Sequence, residues 1–180
     1  MFSELIRNRR SMRHFQDRPI EPPKIEALVE AALRSPSSRG LNPWEFILVD
    51  DSEQLRTLAA AKPHGASFLA GAPLGIVVCA DPQRCDVWVE DCSIAVIFVQ
   101  LMAESLGLGS CWIQIRERTH ASGRPARDHI ADRLHIPAHL EVEAMIAIGY
   151  PAREKKPHPA ASLPFDKVHR GKFGRPFKKT

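Results

Sequence analysis

From Val87 to Leu106 the chain reads VWVEDCSIAVIFVQLMAESL, and from Ile94 onward it is apolar on nearly every side. A helix that packs on one face needs only an apolar stripe, whereas one that is apolar all round must be covered on every side. This run therefore demands either the middle of a core or a subunit interface. It contains Gln100 and is too short to cross a bilayer, so no membrane association is expected.

The rest of the chain supplies what surrounds it. Pro22 to Arg34 carries Ile25, Leu28, Val29, Ala32 and Leu33 at i, i+3, i+4, i+7 and i+8, the stripe of an amphipathic helix. Pro22-Pro23 opens it where a first turn tolerates proline, and Pro36 keeps Ser35 out of it. Shorter helices are predicted over Ser3 to Arg9 with Ser3 as N-cap, over Ser52 to Ala61 capped by Asp51 or Ser52, and near Ala126 to Leu134. Strands are predicted at Glu45 to Asp50, Leu74 to Ala80, Ser110 to Ile115 and Val142 to Ile148. The second of these, LGIVVCA, is apolar throughout, as in a sheet covered on both faces. Helices and strands alternate without strict βαβ order. The fold class is α+β, a central sheet with helices on both faces. Its 180 residues suit one domain over 1–150. From Tyr150 on, five prolines and the scattered anchors Leu163, Phe165, Val168 and Phe173 predict an extended arm over 151–180 that wraps a neighbour.

Net charge is +4, but its distribution says more. Residues 1–18 hold five Arg against two acids, and 153–180 hold nine Lys/Arg against two acids. The stretch between them is net acidic. Basic ends of this kind suit solvated tails, a nucleic-acid surface, or two arms meeting around one anionic ligand. Met1-Phe2-Ser3-Glu4 runs into charged residues with no apolar leader core, and the four cysteines show no CxxC pair. Both point to a cytoplasmic protein with buried free thiols. GxGxxG, P-loop and GxSxG motifs are absent. His135 and His139 have metal-like spacing, but Pro137 lies between them and no cysteine pair accompanies them, so no metal is expected. Glu90-Asp91 reads as first-turn acids favouring a helix's positive end.

Three clusters remain. Arg9-Arg10-Ser11-Met12-Arg13 can hold a phosphate through charge-assisted bonds. Pro36-Ser37-Ser38 exposes backbone and two hydroxyls with little bulk, fit to lie along a flat ligand. Gly107-Leu108-Gly109-Ser110-Cys111-Trp112-Ile113-Gln114 leaves the apolar helix and enters a strand, with Gly107 suited to the helix C-terminus.

In order and spacing, RRSMRHF, SPSSRGLNPWEFILV, GAPLGIVVCAD, VEDCSIAV, GLGSCWIQ and VHRGKF resemble the nitroreductase family of FMN-dependent oxidoreductases, in its short single-domain form. The resemblance implies a mostly antiparallel sheet and an intertwined homodimer with two FMN sites at the subunit interface. Arg9, Arg10 and Ser11 match residues holding the phosphate and ribityl chain. Arg13 matches the cation near the N1/O2 edge of the flavin. Pro36, Ser37 and Ser38 match a loop from the other subunit, and Trp112, Ile113, Gln114 and Ile115 match the strand passing the ring. Arg170 and Lys172 match a carboxy-terminal basic pair closing on the phosphate. Gly40 and Asn42 depart from the family pattern, and Lys62 to Phe68 does not align.

The activity implied is ping-pong hydride transfer from NAD(P)H, through FMN, to an electron-poor small molecule such as a nitroaromatic or quinone, with the chemistry on the flavin and no triad or metal. Two alternatives stay open. One is a same-fold flavoenzyme with other chemistry: flavin fragmentation, dehalogenation or dehydrogenation. The other is a basic nucleic-acid-binding module, against which the lack of RNP, KH or helix-turn-helix signatures counts.

Overall fold

The computed structural model describes residues 2–178, so Met1 and the last two residues of the 151–180 arm lie outside the description. Five helices, α1 (Phe2–Asn8), α2 (Pro22–Leu33), α3 (Ser52–Ala59), α4 (Trp88–Ser105) and α5 (Ala126–Leu134), flank one sheet. Its strands are β1 (Trp44–Val49), β2 (Leu74–Ala80), β3 (Gly109–Gln114) and β4 (Glu141–Gly149), ordered β1-β2-β4-β3 with every neighbouring pair antiparallel. The expected α+β class with helices on both faces is found. No helix among the described residues is long and apolar enough to cross a membrane.

Each face of the sheet carries its own core. Leu28 and Ala32 of α2 and Cys92, Ala95, Val96, Val99 and Ala103 of α4 pack on Ile76, Val78, Ile146 and Ile148. On the other face Leu55 and Leu58 of α3, Leu69 of a 3-10 turn and Ile130 of α5 pack on Val77, Cys79, Ile113 and Met145. Alternation along each strand distributes these side chains, and burial on both faces explains why every residue of β2 is inaccessible. All four cysteines are buried and unpaired.

Several boundaries differ from the sequence expectation. Helix α1 begins at Phe2, which places Ser3 inside it rather than at its cap. Helix α2 ends at Leu33, and Arg34 is its C-cap. The cap of α3 is Asp51, whose carboxylate accepts the Gln54 N–H at 2.8 Å, and the helix closes at Ala59, two residues early. Strand β1 takes in Trp44 and drops Asp50, β3 takes in Gly109 and drops Ile115, and β4 reaches from Glu141 to Gly149. His135, weighed above as a metal ligand, ends α5 in the left-handed region. Gly107 does so for α4 at φ 74°. The Lys24 ammonium caps α4 further, donating to the Leu106 carbonyl at 2.9 Å and to the Tyr150 hydroxyl at 2.8 Å.

The apolar helix α4 is covered on one side only. Its outer flank leaves Ile94, Ile97 and Phe98 at 36%, 39% and 38% exposure within the chain. The all-round burial read from its composition is therefore not completed by this chain's own residues.

Gly149 ends β4 under a rigid neighbour. A Cβ there would stand 2.5 Å from Pro73 Cδ and 3.0 Å from Phe15 Cδ1. A proline ring cannot turn aside, so Gly149→Ala should cost about 1–3 kcal/mol. Thermal unfolding should show it as a Tm lower by roughly 3–10 °C.

Candidate cofactor site

Strand β3 is a sheet edge, and its backbone groups facing away from β4 are available to other partners. The Ile115 N–H turns inward to the Glu143 carbonyl at 3.1 Å, while the Ser110 carbonyl turns outward and accepts the Met12 N–H at 2.9 Å. By alternation the N–H groups of Trp112 and Gln114 also point off the open edge. The side chains of Ile113 and Ile115 are in the core at 1% exposure. Those two residues therefore bring strand placement to a ligand, not side-chain contact. Trp112 and Gln114 lie on the α4 face, the indole N–H donating to the Gln114 side-chain oxygen at 2.9 Å.

The amino-terminal cluster runs beside this edge, with Ser11 bridging to Ser110 in parallel. Gly109 allows it. A Cβ there would stand 2.6 Å from Met12 Cγ, so only glycine lets the two segments lie this close. The segment after β4 closes the other side. Lys155 Nζ donates to the Ser11 carbonyl at 2.7 Å, and the Arg10 guanidinium donates to the Lys156 carbonyl. Ala152 N–H donates to His14 carbonyl at 3.0 Å, and Phe15 bridges to Pro151. Arg13 stands over the Phe68 ring at 5.6 Å from its centroid.

The fields at buried groups report how the cations converge. Burial pushes the Cys111 thiol up, opposed by the Arg13 charge, a hydrogen bond with Ser11, and the charges of Lys155 and Arg9. Burial holds the Lys62 ammonium down, as does the Arg118 charge, while Cys111 acts the other way. Burial raises the Glu104 carboxyl in the last turns of α4, with Arg9 opposing. Arg9, Arg13 and Lys155 thus act on groups around one end of β3. Such a rim fits a phosphate-bearing ligand, and the outward N–H groups fit acceptors on a flat ring. The sequence does not single out Lys155 as a site residue, whereas it leaves the roles of the Lys62 to Phe68 segment and of Arg118 open. Lys155 is one cation among nine near the carboxy terminus, and only its position just after β4 could have marked it.

The Pro36-Ser37-Ser38 loop lies elsewhere. The Ser38 N–H donates at 2.8 Å to the Asp91 carboxylate in the first turn of α4, and the Cys85 thiol donates to the other oxygen at 3.3 Å. Asp91 is thus a buried loop anchor rather than only a first-turn acid. Ser37 closes the loop, its hydroxyl donating to Asn42 Oδ1 at 2.7 Å and accepting Asn42 N–H at 3.0 Å. The departure at Asn42 therefore has a role within the loop. Ser110 and Met12 meet just beyond the far end of α4, whose 18 residues span about 27 Å. One chain does not bring Pro36, Ser37 and Ser38 to Arg9, Arg10, Ser11 and Arg13.

Arg170 and Lys172 lie in a tight turn. Arg170 N–H donates to the Arg175 carbonyl at 2.8 Å, and His169 stacks obliquely on Phe173 at 4.4 Å. Among the described residues no hydrogen bond or ion pair joins Arg170 or Lys172 to the 9–13 segment. Arg116 pairs with Glu117 at 2.8 Å and stands 6.0 Å from the Trp88 ring centroid.

An antiparallel four-stranded sheet with helices on both faces and a cationic rim at its open edge defines an α+β protein whose rim suits an anionic ligand. The Nitroreductase family profile matches residues 6–64 and 60–150. A relative from Archaeoglobus fulgidus, provisionally named NADH dehydrogenase/NAD(P)H nitroreductase, is 35% identical over 175 residues, covering 94% of this chain and 97% of its own. The structure of an FMN-dependent nitroreductase from Clostridium difficile R20291 superposes with a TM-score of 0.92 at 44% identity, covering 94% of this chain and 98% of that one. An FMN reductase (NADPH) from Bacillus subtilis is 27% identical over 177 residues, covering 86% of this chain and 68% of its own. The chain belongs to the nitroreductase family.

Proposed function

We propose that the protein is an FMN-dependent oxidoreductase that takes hydride from NAD(P)H and delivers reducing equivalents, in ping-pong order, to an electron-poor acceptor such as a nitroaromatic or quinone. The observation that carries this is the convergence of Arg9, Arg13 and Lys155 on the end of an open strand edge. The kinship with an FMN-dependent nitroreductase and an FMN reductase supports it.

FMN, when bound, supplies the two-electron hydride chemistry. Arg9, Arg10 and Ser11 would hold its phosphate and ribityl chain by charge-assisted bonds. Arg13, kept over Phe68, would place a cation at the pyrimidine edge of the ring and favour the reduced form. The outward N–H groups of Trp112 and Gln114 would orient the ring. No side chain need act as acid or base, so catalysis reduces to holding the ring and leaving one face open.

The same reading includes a homodimer. Three observations favour it: the uncovered flank of α4, the 36–38 loop at the wrong end of α4 for its own cluster, and an arm exposing Leu163, Val168 and Phe173. The partner would supply Pro36, Ser37 and Ser38, and its arm would bring Arg170 and Lys172 to the phosphate. A cytoplasmic location accompanies it, with four buried thiols suited to a reducing compartment.

Anaerobic titration tests the reading. Purified protein should be yellow, should bleach with NADH or NADPH, and should regain colour on adding a quinone or nitroaromatic. A colourless protein that gains no absorbance from added FMN refutes it. A loaded protein that neither nicotinamide bleaches points instead to another flavin chemistry on this fold.

A further inference from the structure

Strand β4 carries a carboxyl where a core residue would be expected. The β2–β4 register slips between Val78, opposite Ala144, and Cys79, opposite Val142. Glu143 is the extra residue of this bulge, and bulges of this kind re-aim a side chain. Its carboxyl is buried at 2% exposure, and Oε2 has no hydrogen-bond partner among the described residues. The Gln114 amide lies beside it, one N–H donating to the Arg116 carbonyl at 3.2 Å and the other free to turn to the carboxyl, and the Gln114 oxygen in turn accepts the Trp112 indole N–H. The Glu143 carbonyl accepts both the Ile115 N–H at 3.1 Å and the Arg116 N–H at 3.0 Å. Glu143 thus holds the end of β3 through its backbone and sets a buried carboxyl beside the Gln114 amide that this end carries.

Burying a carboxyl with an unpartnered oxygen is costly, and an apolar residue of similar size would stabilise the same bulge better. The cost implies a use. We infer that Glu143 is a positioning residue for the cofactor-facing edge of β3: its carboxyl holds Gln114, Gln114 holds Trp112, and the three fix the two residues whose N–H groups point off the sheet. This rests on the proposed placement of the flavin along that edge.

The charged neighbours set how the lock responds to pH. Burial raises the carboxyl. The Gln114 hydrogen bond and the Arg116 charge oppose this, while Glu117 and, from α4, Glu90 add to it. Cys92 of α4 also faces it and is itself driven up by burial first. The proton therefore stays on above the ordinary carboxylate range. A neutral acid in this site leaves no unpaired charge under α4, and ionisation at higher pH introduces one.

Three variants and two readouts test this. Glu143→Val should raise Tm, because a buried polar group is removed, and yet weaken FMN binding about tenfold, as losing one buried hydrogen-bond partner does. Gln114→Ala should weaken FMN similarly. Glu143→Gln should bind FMN near wild-type strength at low pH and stay flat, while wild-type affinity falls as pH rises through the carboxyl's titration. In apo protein, infrared difference spectra of wild type against Glu143→Gln should show a protonated-carboxyl stretch that disappears over the same pH range. Unchanged FMN affinity in Glu143→Val, or affinity that varies with pH alike in wild type and Glu143→Gln, overturns the assignment. If the variants fail to fold, the infrared titration of the wild type decides. No protonated-carboxyl stretch titrating above the ordinary range overturns it. Failure of every form to bind FMN overturns the functional reading, and with it the positioning role.

Discussion

Reversing charge at Arg9 and Arg170 together, as Arg9→Glu/Arg170→Glu, should yield protein that purifies without FMN. Arg9 is half-buried beside the last turns of α4, where its charge already acts on Glu104 and Cys111. A guanidinium in such a place is not a freely solvated charge. Arg170 sits on a turn of the arm and pairs with nothing in the 9–13 segment of its own chain. Each charge-assisted bond to a phosphate contributes about 1.5–3 kcal/mol, so losing two and adding repulsion should weaken FMN by on the order of a thousandfold. Fluorescence-quenching titration of the apo-protein measures this. Arg56→Glu, an equal reversal on exposed α3, is the control for a general electrostatic effect. Its loss of affinity should be slight and should vanish in salt. FMN retained at wild-type strength in the double variant would mean the phosphate is held elsewhere.

How the arm and the amino-terminal cluster come to matter was legible only in outline. Periodicity located α2 closely, because a stripe at 3.6 residues leaves few alternatives. The strand β2 was legible from its unbroken apolar run. Composition also exposed the anomaly of α4, an apolar surface that no single chain covers. The basic clusters were legible as charge, but charge does not say which cations meet. Lys155 reaches the Ser11 carbonyl because β4 ends beside the 14–16 segment, a long-range pairing with no local signature. Phe68 lies under Arg13 for a similar reason, through a 3-10 turn that short-range pattern does not mark. Asp91 was read as a first-turn acid, yet its carboxylate anchors the Ser38 loop. The bulge at Glu143 was not legible either. One extra residue in a strand breaks the two-residue alternation only locally, and a single acid within VEAMIAI resembles a solvent-facing position. Each miss is a tertiary contact, and all but the Asp91 anchor lie within or beside the candidate site.

Placing charge on the outer flank of α4 should separate the subunits of the proposed homodimer and empty the site in one stroke. Ile94, Ile97, Phe98 and Leu101 recur at i, i+3, i+4 and i+7 and form one apolar stripe, while Ala95, Val96 and Val99 face the sheet. The two sides can therefore be altered independently. Ile97→Glu/Phe98→Glu would bury two carboxylates against a partner's apolar surface, at a cost of several kcal/mol each unless the interface opens. Light scattering should give a monomer mass for the variant and a dimer mass for the wild type at the same concentration. Circular dichroism should retain the helical signal, because the sheet-facing side of α4 is untouched. The monomer should also lack FMN. Its own Pro36-Ser37-Ser38 loop remains tied to Asp91 at one end of α4, about 20 Å of helix away from the cluster at the other. A monomeric variant that keeps FMN would show that one chain suffices for the site. A dimeric one would show that α4 is not the contact. If the variant unfolds outright, the single change Ile94→Gln, milder and at the edge of the stripe, should still raise the dimer dissociation constant and weaken FMN in step with it.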